Sequence, residues 1–206
     1  MILHCDGQLV VADKPAGLPT VPGRPLELHD CLWRRVRELV GDALVVHRLD
    51  MATSGLVLFA RGTEVQRQLS SAFAQREVQK HYEAIVAGVI DDDDGRIDLP
   101  LAADWPNRPR QRIDREGGKP SITRWHVLQR DVARQTTRVQ LEPLTGRTHQ
   151  LRVHLAAIGH PLLGDTLYAP EGITAAAPRL LLHATRLAFL HPRDAAPVSF
   201  DSPAPF

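Results

Sequence analysis

The chain has few of the residues that would announce a staple, a metal or a membrane. It contains two cysteines, Cys5 and Cys31, which have neither the spacing of a metal site nor the number for a disulfide framework. That scarcity fits a reducing compartment, and a cytoplasmic setting is expected. No apolar run approaches a membrane span, so no membrane partner is expected. Near the N-terminus, Asp6 and Asp13 interrupt the only apolar stretch, Leu9 to Ala12, so no secretory leader is expected. Lysine is restricted to Lys14, Lys80 and Lys119, and the formal net charge is only +1. The whole chain is therefore not an electrostatic trap for phosphate. Arginine greatly outnumbers lysine, which RNA binding and genomic base composition explain equally well.

What is present is ordinary for a globular protein: 43% apolar and 24% charged residues in 206, enough for one domain or two small ones. Gln8 to Ala12, Lys80 to Ala87, Arg124 to Leu128, Thr137 to Leu141 and Leu180 to Leu190 read as strands. Leu28, Leu32, Val36 and Leu39 recur at helical spacing, with Gly41 as a stop. Thr63 and Gln66 suggest a capping box opening a second helix along Val65, Leu69 and Phe73. Leu151, Leu155 and Ile158, at i, i+4 and i+7, predict a third with one buried stripe. Between the first strand and the first helix, residues 13–25 form a proline- and glycine-rich connector. Asp91 to Asp94 reads as a solvated acidic turn. Strands outnumber helices without strict alternation, so the class is α+β with a largely antiparallel sheet.

The segment His47-Arg48-Leu49-Asp50-Met51-Ala52-Thr53-Ser54-Gly55-Leu56 carries the chemistry. It sets one carboxylate between two apolar runs, Ala43 to Val46 and Leu56 to Ala60, both read as short buried strands. Asp50 is the only acid in this string, with no serine or cysteine directly beside it. A free aspartate titrates near pH 3.9; burial raises that value and a nearby guanidinium lowers it. An acid in this setting is costly to desolvate unless a charged group holds it.

This ten-residue string resembles the signature of the RluA group of pseudouridine synthases. So do Lys80-His81-Tyr82-Glu83-Ala84, the stretch from Gly146-Arg147-Thr148-His149-Gln150-Leu151-Arg152 to Gly164-Asp165, and Leu181-Leu182-His183-Ala184. Val21 to Arg24 and Asp104 to Pro109 bring the likeness closest to the short members of the group, which act on both ribosomal and transfer RNA. The resemblance covers essentially the whole chain and leaves no room upstream for an S4 domain, so a single catalytic domain is expected over residues 1–206.

It implies the pseudouridine synthase fold with an active-site cleft, and an RNA uridine isomerase acting on stem-loops of 23S ribosomal RNA and of the tRNA anticodon arm. It implies no cofactor, because the product is an isomer of the substrate, and no obligate protein partner is evident. In this likeness Asp50 is the nucleophile, Arg152 its ion-pair partner, and Tyr82 the residue packed on the uracil. Arg48 is the arginine that takes the place of the extruded base, and the same side of the strand as Asp50 is expected for it. Arg108, Arg110, Arg147 and His149 are expected on the RNA. Arg108 and Arg110 belong to a basic run with Arg112, Arg115 and Lys119 that is opposed only by Asp114 and Glu116.

Other classes fit less well. His149 and His154 are five residues apart, roughly 140° around a helix, whereas a helical metal pair wants i, i+4. A glycosidase needs two carboxylates of split role, and only Asp165 is near as a second. A non-catalytic RNA-binding protein of this fold would have no use for Asp50, Tyr82 and Arg152 together.

Overall fold

A computed structural model describes all residues 1–206. In chain order the elements are β1 (Ile2–Cys5), β2 (Leu9–Lys14), α1 (Leu32–Val40), β3 (Ala43–Val45), β4 (Ser54–Arg61), α2 (Thr63–Gln75), β5 (Gln79–Ala87) and β6 (Asp94–Asp98). They continue with β7 (Leu101–Ala103), β8 (Gln111–Ile113), β9 (Ile122–Asp131), β10 (Thr136–Pro143), α3 (Gln150–Ala157), α4 (Glu171–Ala175), β11 (Leu182–Leu190) and β12 (Pro197–Asp201). The class is α+β with mostly antiparallel sheet. The chain forms two compact units: Met1–Lys80 with His183–Pro205, and His81–Leu182 with Phe206.

In the first unit, β4 is central. Leu56 to Ala60 are all fully buried, as a strand covered on both faces must be. It pairs antiparallel with β2 (Val11↔Leu58) and β3 (Leu44↔Ala60), and parallel with β11 (His183↔Ser54, Ala184↔Gly55). Gly55 makes that last pairing possible: its φ is +111°, and a Cβ there would lie 2.4 Å from the Ala184 carbonyl oxygen. Leu9, Val11, Leu56, Leu58, Ala60, Leu187 and Phe189 meet Val65 and Leu69 of α2 in the core.

The second unit is an antiparallel ladder of β5, β10, β9 and β6, with Val139 opposite both Ala84 and Val127. Along β10, Thr137, Val139, Leu141 and Pro143 are buried while Arg138, Gln140 and Glu142 are not, the period-two pattern of a half-covered strand. The strands β7 and β8 form a separate hairpin with Ala103 opposite Gln111.

Three expectations need correction. The first helix begins at Leu32, and Leu28 lies in a short 3-10 turn before it; Gly41 does stop the helix, at φ +86°. The capping box is absent: Thr63 is already helical, Gly62 is the cap, and the Gln66 side chain donates instead to the Val45 carbonyl (2.8 Å). The third helix is not buried on one stripe; every residue from Gln150 to Leu155 is buried. That enclosure, which periodicity cannot reveal, places Arg152 inside the protein.

Candidate active site

Asp50 lies in a turn whose backbone is tied down on both sides by its own unit. The strand β3 ends at Val45, before Arg48 and Asp50; Arg48 is exposed and Asp50 half-buried. Just before Asp50, the Thr20 hydroxyl accepts the Leu49 amide (3.1 Å) and donates to the Leu49 carbonyl (2.8 Å). Just after it, the Met51 carbonyl accepts from the Gly17 amide (2.8 Å) and from the Lys14 ammonium (3.0 Å). Lys14 is fully buried and also donates to the carbonyls of Leu18 (2.7 Å) and Pro15 (3.0 Å). The Thr53 amide returns to the Asp50 carbonyl at 3.1 Å, closing the turn before β4 begins. A buried ammonium is tolerated only with such a set of acceptors. The connector over residues 13–25 thus has a purpose: it wraps the Asp50 turn.

His47 anchors the other end of the motif. Its Nε2 accepts the Leu58 amide at 2.9 Å and its ring stacks on Phe73, with centroids 4.5 Å apart. Burial, and then the charge of Lys80, push its pKa down to about 3, so the imidazole is neutral at physiological pH. Burial likewise lowers the pKa of Lys80 itself, with the Arg76 charge adding to it.

The second unit holds the remaining candidates. Tyr82 lies on β5 opposite Leu141 and is half-buried. Arg152 and Asp165 form a buried, two-pronged ion pair, Nε to Oδ2 at 2.8 Å and Nη2 to Oδ1 at 2.6 Å. Oδ1 of Asp165 also accepts the amides of Leu167 (2.9 Å) and Tyr168 (3.1 Å). Burial pushes this carboxyl up, but the Arg152 guanidinium and the two amides outweigh it, and the acid sits below the usual carboxylate range. Asp165 is therefore an orienting partner of Arg152, and such a carboxylate is no proton donor at neutral pH.

Tyr168 ties these groups to the hairpin. Its ring lies 5.1 Å from the Arg152 guanidinium, and its hydroxyl accepts the Gln111 amide (2.8 Å) and shares a hydrogen bond with His149 Nδ1 (2.6 Å). His149 sits in the left-handed region at φ +54°, capping α3. Arg147 and Arg110 are exposed. At the hairpin tip, the guanidinium of Arg108 lies 3.4 Å from the ring centroid of Trp105, which is 68% exposed. Elsewhere His154 is bonded to Thr123 (2.9 Å) and the Leu99 carbonyl (3.0 Å), and His160 to the Ala87 carbonyl (2.9 Å). No three histidine, cysteine, aspartate or glutamate side chains gather at metal-binding distance.

Residues 8–157 match the sequence profile of the RNA pseudouridylate synthases. The chain belongs to this family. Dual-specificity RNA pseudouridine synthase RluA of Pasteurella multocida is 49% identical over 205 residues, 100% of this chain and 93% of that protein. The RluA of Escherichia coli K12 is 46% identical over 206 residues, 100% of this chain and 94% of its own length. Among solved structures, human RNA pseudouridylate synthase domain containing 1 superposes with a TM-score of 0.83 at 29% identity, covering 100% of this chain and 83% of that one. Human RNA pseudouridylate synthase domain containing 4 gives 0.79 at 27% identity, covering 99% and 88%. As an RNA pseudouridine synthase, the protein isomerises uridine within RNA.

The sequence motifs single out Asp50, Tyr82, Arg152 and the RNA-facing arginines. They miss Lys14, Thr20, Trp105 and Tyr168, and they present Asp165 only as a weak second acid. A lysine ending a strand that opens with four apolar residues, directly before Pro15-Ala16-Gly17, is the available signal for Lys14. Tyr168 carries no local signal, because its partners are distant in sequence.

Proposed function

We propose that the chain converts uridines in stem-loops of 23S ribosomal RNA and of the tRNA anticodon arm, with Asp50 as nucleophile. The observation that carries this reading is the Asp50 turn: Thr20, Gly17 and the buried Lys14 fix the backbone on both sides of one motif carboxylate. The dual-specificity names of the bacterial relatives support the two RNA classes.

The target uridine is extruded from its loop, since a stacked base offers no route to the glycosidic carbon. A carboxylate oxygen of Asp50 bonds to the ribose C1′ as the C1′–N1 bond breaks and its electron pair leaves with the uracil. The base rotates against Tyr82, its C5 attacks C1′, and Asp50 departs as carboxylate. Loss of the C5 proton and gain of one proton at N1 complete an isomerisation with no net change in atoms or electrons, so no cofactor is called for. Arg152, held by Asp165 through two hydrogen bonds, is the cation this reading assigns to the Asp50 carboxylate. Arg48 fills the space the base has left. Arg108, Arg110, Arg147 and His149 hold the RNA, and Trp105 beside Arg108 adds an aromatic face for an unstacked base. A cytoplasmic location follows from such substrates.

The experiment is nucleoside analysis of isolated 23S and anticodon stem-loops after incubation with the purified protein. Pseudouridine in both is expected. Modification of one class alone would remove dual specificity, and equal modification of unstructured RNA would contradict selection by shape.

A further inference from the structure

Four polar side chains of the first unit form a file through its interior. The Ser202 hydroxyl donates to Asp13 Oδ2 (3.0 Å), His183 Nε2 meets Ser202 Oγ (3.0 Å), and His183 Nδ1 meets Ser54 Oγ (2.8 Å). Ser54, His183 and Ser202 are 3%, 1% and 5% exposed. The direction of the file follows from its acidic end. An ionised carboxylate only accepts, so the single Ser202 proton goes to Asp13. His183 must then donate from Nε2, which leaves Nδ1 to accept the Ser54 proton. With a neutral ring, the file runs Ser54 to His183 to Ser202 to Asp13, and His183 carries its proton on Nε2.

Its inner end is the residue that directly follows the Asp50 turn. Ser54 opens β4, directly after Thr53, whose amide binds the Asp50 carbonyl. The outer end is Asp13, next to Lys14, which holds the Met51 carbonyl. Neighbours on a strand point to opposite faces. Two successive residues of β2 thus grip the Asp50 turn from the two sides of the sheet, Lys14 directly and Asp13 through the file. The bare Cα of Gly55 lets β11 approach close enough for His183 to reach Ser54. Apolar side chains of similar volume would serve core stability at least as well, whereas a connected polar file specifies one geometry.

We propose that Asp13, Ser202 and His183 are positioning residues for Asp50, acting through Ser54. The inference rests on the reading of Asp50 as nucleophile. Asp50 must meet C1′ at a defined distance and angle, and a displacement of about 1 Å is enough to cost on the order of a hundredfold in rate.

The test uses the full chain with Asp13→Asn, Ser54→Ala and Asp50→Asn, measuring single-turnover rate and stem-loop affinity, together with ¹⁵N spectra of the histidine rings. Asp13→Asn keeps the volume but lets the new amide donate to Ser202, which reverses the file. The expected result is an Nε2-protonated His183 in the unmutated protein and an Nδ1-protonated His183 in Asp13→Asn. Both Asp13→Asn and Ser54→Ala should react at least about tenfold more slowly, with affinity held within about twofold. Should Ser54→Ala fail to fold, Asp13→Asn still decides. Unchanged rates in folded variants, or Nδ1 protonation in the unmutated protein, would overturn the proposal. An active Asp50→Asn protein would overturn the nucleophile reading instead.

Discussion

At His47, one ring nitrogen accepts the Leu58 amide, and protonation would cancel that bond and put a second charge near Lys80. The folded pKa, about 3, lies below the unfolded value of about 6.5. Between those values the unfolded chain binds the extra proton, so acidification favours unfolding. The contribution is complete above pH 6.5 and is lost as pH falls toward 3. Denaturant midpoints should therefore drop from about pH 7 to about pH 4.5, and His47→Gln should flatten the drop; an identical slope in both proteins would refute it. Arg152 is a different case, because it is buried against Asp165. Removing one partner of such a pair costs about 3–5 kcal/mol, since the other charge is stranded. Arg152→Ala should lose that stability in calorimetry, whereas Arg152→Met with Asp165→Leu should recover most of it. If Arg152 serves only the fold, the double variant will also recover pseudouridine formation; the account predicts that it will not.

Among the elements, the β7–β8 hairpin makes the clearest separation between charge and stacking. Its tip is held by backbone bonds between Asp104 and Arg110 (3.0 Å) and between Asn107 and Asp104 (3.1 Å), so Trp105 and Arg108 are presented by a built turn. Removing one phosphate-binding arginine should lower the salt slope of RNA binding by about 1, so Arg108→Ala with Arg110→Ala should weaken binding and flatten its salt dependence. Trp105→Ala should weaken binding by about 1–3 kcal/mol with the slope unchanged. Affinity titrations at several salt concentrations distinguish them, and a flattened slope in Trp105→Ala would contradict a stacking role. This hairpin also shows what periodicity can and cannot deliver. The strands β4, β5, β9, β10 and β11 are legible because each is a run of apolar residues or an alternation of five or more residues. The three-residue strands β7 and β8, and the edges β1, β6 and β12, carry too few core positions to produce a signal. The capping box fails because Gln66 finds a tertiary acceptor at Val45, a partner that local sequence cannot show.

For the molecule as a whole, the candidate residues are legible because they sit in long motifs, while what holds them is not. Lys14, Thr20 and His183 act on the Asp50 turn across 37 residues to Met51, 29 to Leu49 and 129 to Ser54. Such contacts exist only once the strands have paired. The fold places around one aspartate a set of constraints that serves geometry, and the central claim is that this aspartate is the nucleophile. The most direct measurement is the amount of pseudouridine formed in a single turnover on an anticodon stem-loop by the unmutated protein and by Asp50→Asn. RNA affinity and thermal stability are recorded alongside. The account predicts full conversion by the first and none by the second, at matched affinity and stability. Conversion by Asp50→Asn within tenfold of the unmutated rate would contradict it.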